Sequence, residues 1–271
     1  MRKRTDALLR IITYLSATIT FAALIFLIGY ILVKGIPYLK PSLFALRYNS
    51  ENVSMFPALV TTIMTVALSL LIAVPLGIFT AVYLVEYARR GSRIVRLIRS
   101  TAETLSGIPS IIYGLFGSLF FVIWLGWGLS LLAGACTLSI MILPLIIRTT
   151  EESLKSVPDS FREGAFSLGA GRLRTVFRIV LPAASPGILA GVILSTGRIV
   201  GETAALIYTL GNTAIMTKGL FSSGRTLSLH MYALSGEGLY TGQAYATSVV
   251  LLVIVIGINA VSHAIAKKIA A

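Results

Sequence analysis

Ser160-Phe161-Arg162-Glu163-Gly164-Ala165-Phe166-Ser167-Leu168-Gly169, then nine intervening residues and Ile179-Val180-Leu181-Pro182, separates two long apolar runs, at about 127–147 and 186–210. Its local signals are those of a built element. Ser160 and Glu163 have the spacing of a capping box, in which a hydroxyl takes the amide of the third helical residue and the carboxylate reaches back. Pro158 blocks any upstream extension. A short helix is therefore expected from about 161 to Leu168. Gly169-Ala170-Gly171 should stop it, because glycine accepts the left-handed conformation that follows a helix. A second, basic amphipathic helix is expected next, with Leu173, Val176, Phe177 and Val180 on one face. Pro182 and Pro186 mark the entry to the following apolar run.

The surrounding chain sets the class. Hydrophobic residues make up 56% of it and charged residues 12%. Its mean hydropathy is +0.89, and a soluble chain carries about twice that charge. A membrane span takes about 20 consecutive apolar residues. Six such runs are present, at about 8–33, 58–85, 103–124, 127–147, 186–210 and 244–266. Lipid offers no partner to a bare backbone amide, so each must be a helix. The expected fold is all-α: a polytopic membrane bundle of six transmembrane helices with a helical loop on one side. Residues 1–57 form a first span and outer loop; residues 58–271 form the core, with the patterned loop at 148–185.

The net charge of +13 invites a nucleic-acid reading, and the placement of that charge argues against it. Seventeen of the 23 Lys and Arg residues flank the spans on one side: four near the N-terminus, five between Arg89 and Arg99, six between Arg148 and Arg178, and Lys267 and Lys268. Basic residues accumulate on the cytoplasmic side, which predicts cytoplasmic termini in the cell (inner) membrane. Anionic lipid headgroups are their natural neighbours. Arg2-Lys3-Arg4 before an apolar run resembles a signal peptide, but the run is long and no clear cleavage site follows, so a retained helix is expected. Cys136 is the single cysteine and reads as a packing residue. His230 and His263 lie in no metal-binding or catalytic pattern and are expected to be exposed or interfacial.

The patterned loop resembles that of bacterial ABC importer permeases, which carry E-A-A, three residues, G, nine residues and I-x-L-P. Here Glu163, Gly164, Ala165, Gly169, Ile179, Leu181 and Pro182 fill those places, and Gly164 stands where the family usually has Ala. The resemblance implies a coupling helix that seats in an ATPase subunit. The chain has no G-x-x-x-x-G-K-[ST] phosphate loop, so ATP and Mg²⁺ would belong to a separate ATPase. Two further stretches resemble the phosphate-specific branch: Gly107-Ile108-Pro109-Ser110-Ile111-Ile112-Tyr113-Gly114 and Gly197-Arg198-Ile199-Val200-Gly201-Glu202-Thr203-Ala204. The resemblance implies a homologous second permease, an ATPase dimer at the cytoplasmic loop and an extracytoplasmic phosphate-binding protein, with no cofactor in this chain and no nucleic acid.

Taken without that resemblance, the fifth span still stands out. A lone Arg near mid-span costs about 2.5–3.5 kcal/mol. Arg198 and Glu202 have i,i+4 spacing, which in a continuous helix puts both on one face, where they can neutralise each other. Two readings stay open: an oxyanion site in a pathway, since the Arg fork matches two oxygens at once, or an ion pair that locks helices. Gly187, Gly191 and Ser195 recur every four residues and permit close helix contact. Pro109 removes a helical hydrogen bond, so Glu103 to Ser110 would form either a gate lining the pathway or a packing kink. Another oxyanion, such as molybdate or sulfate, is an alternative cargo, and a gradient-driven secondary transporter is an alternative machine. A membrane hydrolase lacks a plausible nucleophile or metal cluster.

Overall fold

In the computed structural model the backbone is described for all residues except Met1, Arg90 and Ala271. Side chains are described for residues 9–89, 91–261 and 264. All regular secondary structure in the described residues is helical. Five helices are long and apolar enough to cross a membrane, and one sharply bent pair makes a sixth. They are α1 (Arg2–Gly35), α2 (Phe56–Val82, prolonged by a π turn over Tyr83–Tyr87), the pair α3 (Arg93–Ser106) and α4 (Ser110–Gly117, prolonged by a π turn over Ser118–Trp124), α5 (Leu131–Ser156), α8 (Leu181–Val200) and α11 (Thr241–Ala270). Short elements complete the order: α6 (Asp159–Ser167), α7 (Arg172–Thr175), α9 (Ala204–Thr209) and α10 (Leu227–Glu237).

α5 is the axis of the bundle. Two-thirds of its apolar window is buried, the highest share among the five unbent spans. Leu138, Met141, Ile142 and Ile146 pack with Ala73 of α2, Tyr113 of α4, Ile199 of α8 and Leu206 of α9. Small residues bring the helices together. A Cβ on Gly77 would sit 3.0 Å from the Ile146 Cβ, and one on Gly191 would sit 2.7 Å from the Thr149 Cβ. Gly187 faces Ser153 in the same way, so the four-residue spacing does serve close contact. Between α2 and α5, the Ser139 hydroxyl donates to the Ser69 carbonyl at 3.1 Å and the Ser69 hydroxyl to the Ala135 carbonyl at 3.2 Å. Cys136 is half-buried on the same helix.

Several expected boundaries move. The third span was expected over 103–124, but residues 93–106 already form α3, and the chain then turns by 105° at Gly107–Pro109 into α4. Glu103 therefore lies on α3, before the bend, and not within the straight part of a span. Pro109 supplies the N-cap of α4, and the Tyr113 hydroxyl holds the bend by donating to the Leu105 carbonyl at 2.6 Å. α5 runs to Ser156, well beyond 147, so the connecting loop starts at 157 rather than 148. Its charged last turns read as loop by hydropathy, yet they are helical: Thr150, Glu151 and Leu154 are buried against the bundle, and Glu151 pairs with Lys155 and with Arg99 of α3.

The capping box is absent. α6 begins at Asp159, with Pro158 at the N-cap and no side-chain cap bond. The Pro158 carbonyl accepts from Phe161, and Ser160 lies inside the first turn, where it cannot cap. The stop is as expected. Gly169 has φ +80°, the Gly169 amide donates to Phe166 and the Ala170 amide to Ala165. In the following amphipathic segment Val176 and Val180 are buried with Ala184 and Ile188, whereas Leu173 and Phe177 are exposed. Pro182 and Pro186 do not begin a new helix: residues Arg172–Val200 form one span-length unit. Pro182 has no amide to give the preceding turn, and that turn is widened as a π turn over Val176–Val180.

On the side opposite α6, the loop expected over 211–243 contains α10 and folds inward. The Leu227 amide donates to the Thr62 hydroxyl at 2.9 Å, and the Ser228 hydroxyl to the Glu202 carbonyl at 2.7 Å. His230, expected to be exposed or interfacial, is 1% exposed, edge-on to the Tyr48 ring. Burial, and then the nearby Arg225, push its pKa down to about 4. The His263 side chain lies outside the described residues.

Candidate functional site

The fifth span is broken in its interior. α8 stops at Val200, Gly201-Glu202-Thr203 leaves the helix, and α9 resumes for six residues. Two contacts place this break away from either end. Gly191 of α8 lies against Thr149 of α5, which sets Arg198 beside Pro144 and Leu145. At the far end, the Ser130 amide donates to the Thr209 carbonyl, which ties the end of α9 to the start of α5. Membrane helices tolerate such interruptions where protein or a wet cavity satisfies the freed groups. Discontinuous helices of this kind frame the substrate sites of many transporters.

The expected pairing of Arg198 with Glu202 does not form. The i,i+4 rule holds only within a helix, and the helix ends between them. The Glu202 carboxylate instead accepts from the Ala205 amide at 3.1 Å and caps α9, while its carbonyl takes the Ser228 hydroxyl. Arg198 sits in the last turn of α8, where the helix dipole favours a cation. Among the described residues no hydrogen bond or ion pair engages its guanidinium.

Arg198 instead forms the inner end of a cavity of about 310 Å³. α3 contributes Arg99, Glu103 and Ser106, and α5 contributes Pro144, Arg148 and Glu151, with Lys155 at the outer edge. From Leu145 to Lys155 is about 15 Å along α5, taking 1.5 Å per residue, so the cavity runs from the α6 side of the bundle toward the break. Glu151 is nearly buried and holds both Arg99 and Lys155 at 2.6 Å. Arg148 meets Glu152 at 3.1 Å with both side chains mostly exposed, a pair of little energetic weight. The cavity is thus lined by four cations and three carboxylates, and among the described residues Arg198 is the cation left without a carboxylate.

Of the four residues expected along a pathway, Arg198 and Glu103 share this cavity; Ser110 and Glu202 do not line it. Ser110 opens α4 and is half-buried beyond the Gly107–Pro109 bend. It is nonetheless near the break: a Cβ on Gly114, one turn on, would meet the Ala205 Cα at 2.8 Å. Sequence reasoning missed Arg99, Arg148, Glu151 and Lys155. The signal available was the i,i+3 and i,i+4 charge spacing of 148–155, which extends a helix as well as it fills a loop.

The residues of the patterned loop lie together at the basic end. Ala165 is buried, Glu163, Gly164, Gly169 and Pro182 are exposed, and Ile179 and Leu181 are half-buried. Around them Phe161, Phe166, Leu168 and Leu173 expose their side chains, Leu168 by 90%. A Cβ on Gly164 would meet nothing within 4 Å.

Membrane-length spans, one of them broken in its interior beside a charged cavity, are features shared with membrane transport proteins. Residues 73–271 match the family described as binding-protein-dependent transport system inner membrane component, and the chain belongs to that family. It is 32% identical over 253 residues to the probable ABC transporter permease protein YqgI of Bacillus subtilis, covering 88% of this chain and 86% of that one. It is 31% identical over 266 residues to the phosphate transport system permease protein PstA of Haemophilus influenzae, covering 95% and 92%. Among solved structures, a chain of a bacterial alginate ABC transporter in complex with its alginate-bound periplasmic protein superposes with a TM-score of 0.63 at 19% identity, covering 94% of this chain and 96% of that one. At that identity the likeness concerns the fold.

Proposed function

We propose that this permease is the transmembrane subunit of an ATP-driven importer that moves inorganic phosphate into the cytoplasm. The observation that carries the proposal is Arg198: a guanidinium without a carboxylate among the described residues, at the end of a charged cavity and beside an interior helix break. An Arg fork matches a tetrahedral oxyanion through two donors at once. An open fork binds the anion without first giving up another partner. The nearby carboxylates keep the cavity from becoming an anion trap, since a pathway must release what it binds. The relatives that carry a phosphate-permease description support phosphate over other oxyanions.

In this reading the basic end of the bundle is cytoplasmic, and α6 is the coupling helix. Its exposed Phe161 and Phe166, with Leu168 at its C-cap, meet an ATPase dimer that holds ATP and Mg²⁺. A homologous second permease completes the pathway, and an extracytoplasmic binding protein delivers phosphate on the α10 side. The test is uptake of labelled phosphate by proteoliposomes containing the assembled complex and its binding protein. Uptake should require internal ATP and resist excess sulfate and molybdate. Uptake that runs on an ion gradient without ATP, or that either competitor abolishes, would refute the assignment.

A further inference from the structure

α6 is held to the bundle by few residues. Of its nine, only Arg162 and Ala165 are not exposed. Arg162 reaches inward and uses its whole guanidinium. Its Nε donates to Glu86 Oε1 at 3.1 Å and its Nη2 to the same carboxylate at 2.7 Å. Nη2 also donates to the Leu154 carbonyl at 2.9 Å, and Nη1 to the Val157 carbonyl at 2.9 Å and to Asp159 at 3.2 Å. The Arg162 and Glu86 side chains are 15% and 9% exposed, so solvent screens the pair weakly. One side chain thus binds α6 to the end of α2, where Glu86 sits in the π turn, and to the end of α5.

Both of those helices lead to the cavity. Leu154 lies one turn from Glu151, which holds Arg99 in the cavity wall. α2 and α5 are locked to each other by the Ser139-to-Ser69 and Ser69-to-Ala135 bonds and by the Gly77 contact. A displacement of α6 must therefore carry the ends of α2 and α5 with it or break a nearly buried, fully bonded ion pair. Covalently, α6 follows α5 after Val157 and Pro158, so the Arg162 bonds add α2 to that link. Its other covalent route passes through the Gly169 turn, where a Cβ would meet no neighbour, before reaching α7 and α8.

We propose that Arg162 and Glu86 form the joint through which movement of α6 is passed to the wall of the phosphate cavity, so that Arg162 is a positioning residue for coupling. This rests on the reading of α6 as the ATPase-docking helix. The experiment measures phosphate taken up per ATP hydrolysed in proteoliposomes containing the whole complex, with Arg162→Gln, Glu86→Gln and Arg162→Lys. Complex recovery and melting temperature are followed alongside. The Gln variants should lose about tenfold in phosphate per ATP while hydrolysis and recovery stay within about twofold of wild type. The double Gln variant should be no worse than either single one, as expected for one shared interaction. Arg162→Lys should be intermediate, because an ammonium keeps the charge but cannot bond a carboxylate and two carbonyls in one plane. Glu86→Gln leaves both carbonyl bonds of Arg162 in place and is the variant expected to fold most normally. Wild-type phosphate per ATP in both Gln variants would overturn the proposal. So would failure of both to assemble, since the pair would then serve folding alone. A wild-type complex without ATP-driven phosphate uptake would instead refute the functional reading, whatever the variants do.

Discussion

Arg162 and Arg198 are both withdrawn from open water, and the bundle treats them in opposite ways. Arg162 at the α6 end has its carboxylate, two carbonyls and a second acidic neighbour. Arg198 beside the broken span has no bonded partner among the described residues. A buried ion is expensive unless it is bonded, so full satisfaction at Arg162 suits a part that must stay rigid. The open guanidinium at Arg198 suits a part whose partner arrives and leaves. The same contrast runs through the neighbouring cations, since Arg99, Arg148 and Lys155 all have carboxylates.

The contrast can be broken by giving Arg198 a partner. Leu194 lies four residues earlier on the same continuous helix and is 59% exposed. Leu194→Glu puts a carboxylate at i,i+4 to Arg198, in the favourable Glu-before-cation order. Phosphate uptake per recovered complex should fall about tenfold or more; Leu194→Gln should have a much smaller effect. Distorting the break should act through stability. Gly114→Val drives a side chain into the Ala205 backbone, and overpacking of this kind costs about 1–3 kcal/mol. Its melting temperature should drop, where Gly107→Ala, with no Cβ neighbour nearer than 3.6 Å, should leave it nearly unchanged.

A third charged region, on the α10 side, extends the comparison. Arg225 is buried over the Tyr48 ring, and burial lowers its pKa. His230 beside it is neutral in the fold, with its pKa depressed from 6.5 to about 4. The unfolded chain therefore binds a proton that the folded chain refuses over that interval. Stability should decline as pH falls from 6.5 toward 4, by up to about 1.4 kcal/mol per pH unit from this residue. Thermal melts at pH 7 and pH 5 should show a gap that narrows in His230→Asn. The smallest effect is expected at the exposed face of α6. Gly164→Ala meets no neighbour and should stabilise that helix by about 0.5–1 kcal/mol, read as slower amide exchange over 160–168.

The spans were legible because length and hydropathy are nearly sufficient in lipid. The Gly169 stop was legible because the turn needs a positive φ. Where charge and helix coincide, the reading failed. The last turns of α5 and the first ten residues of α3 read as loop, although their charges pair across elements, as Arg99 does with Glu151. Arg198 announced itself as a charge in an apolar run. Its relation to Glu202 was misjudged because nothing but Gly201 marks the break, and one glycine does not end a helix by itself. The Arg162–Glu86 pair joins residues 76 positions apart, a separation at which local spacing carries no information.

The central claim, that Arg198 handles the cargo while the bonded charges carry the movement, is tested most directly by Arg198→Gln in the reconstituted complex, with phosphate uptake and ATP hydrolysis measured on the same vesicles. The account predicts that uptake is lost while hydrolysis and complex recovery persist. Uptake at the wild-type rate would contradict it.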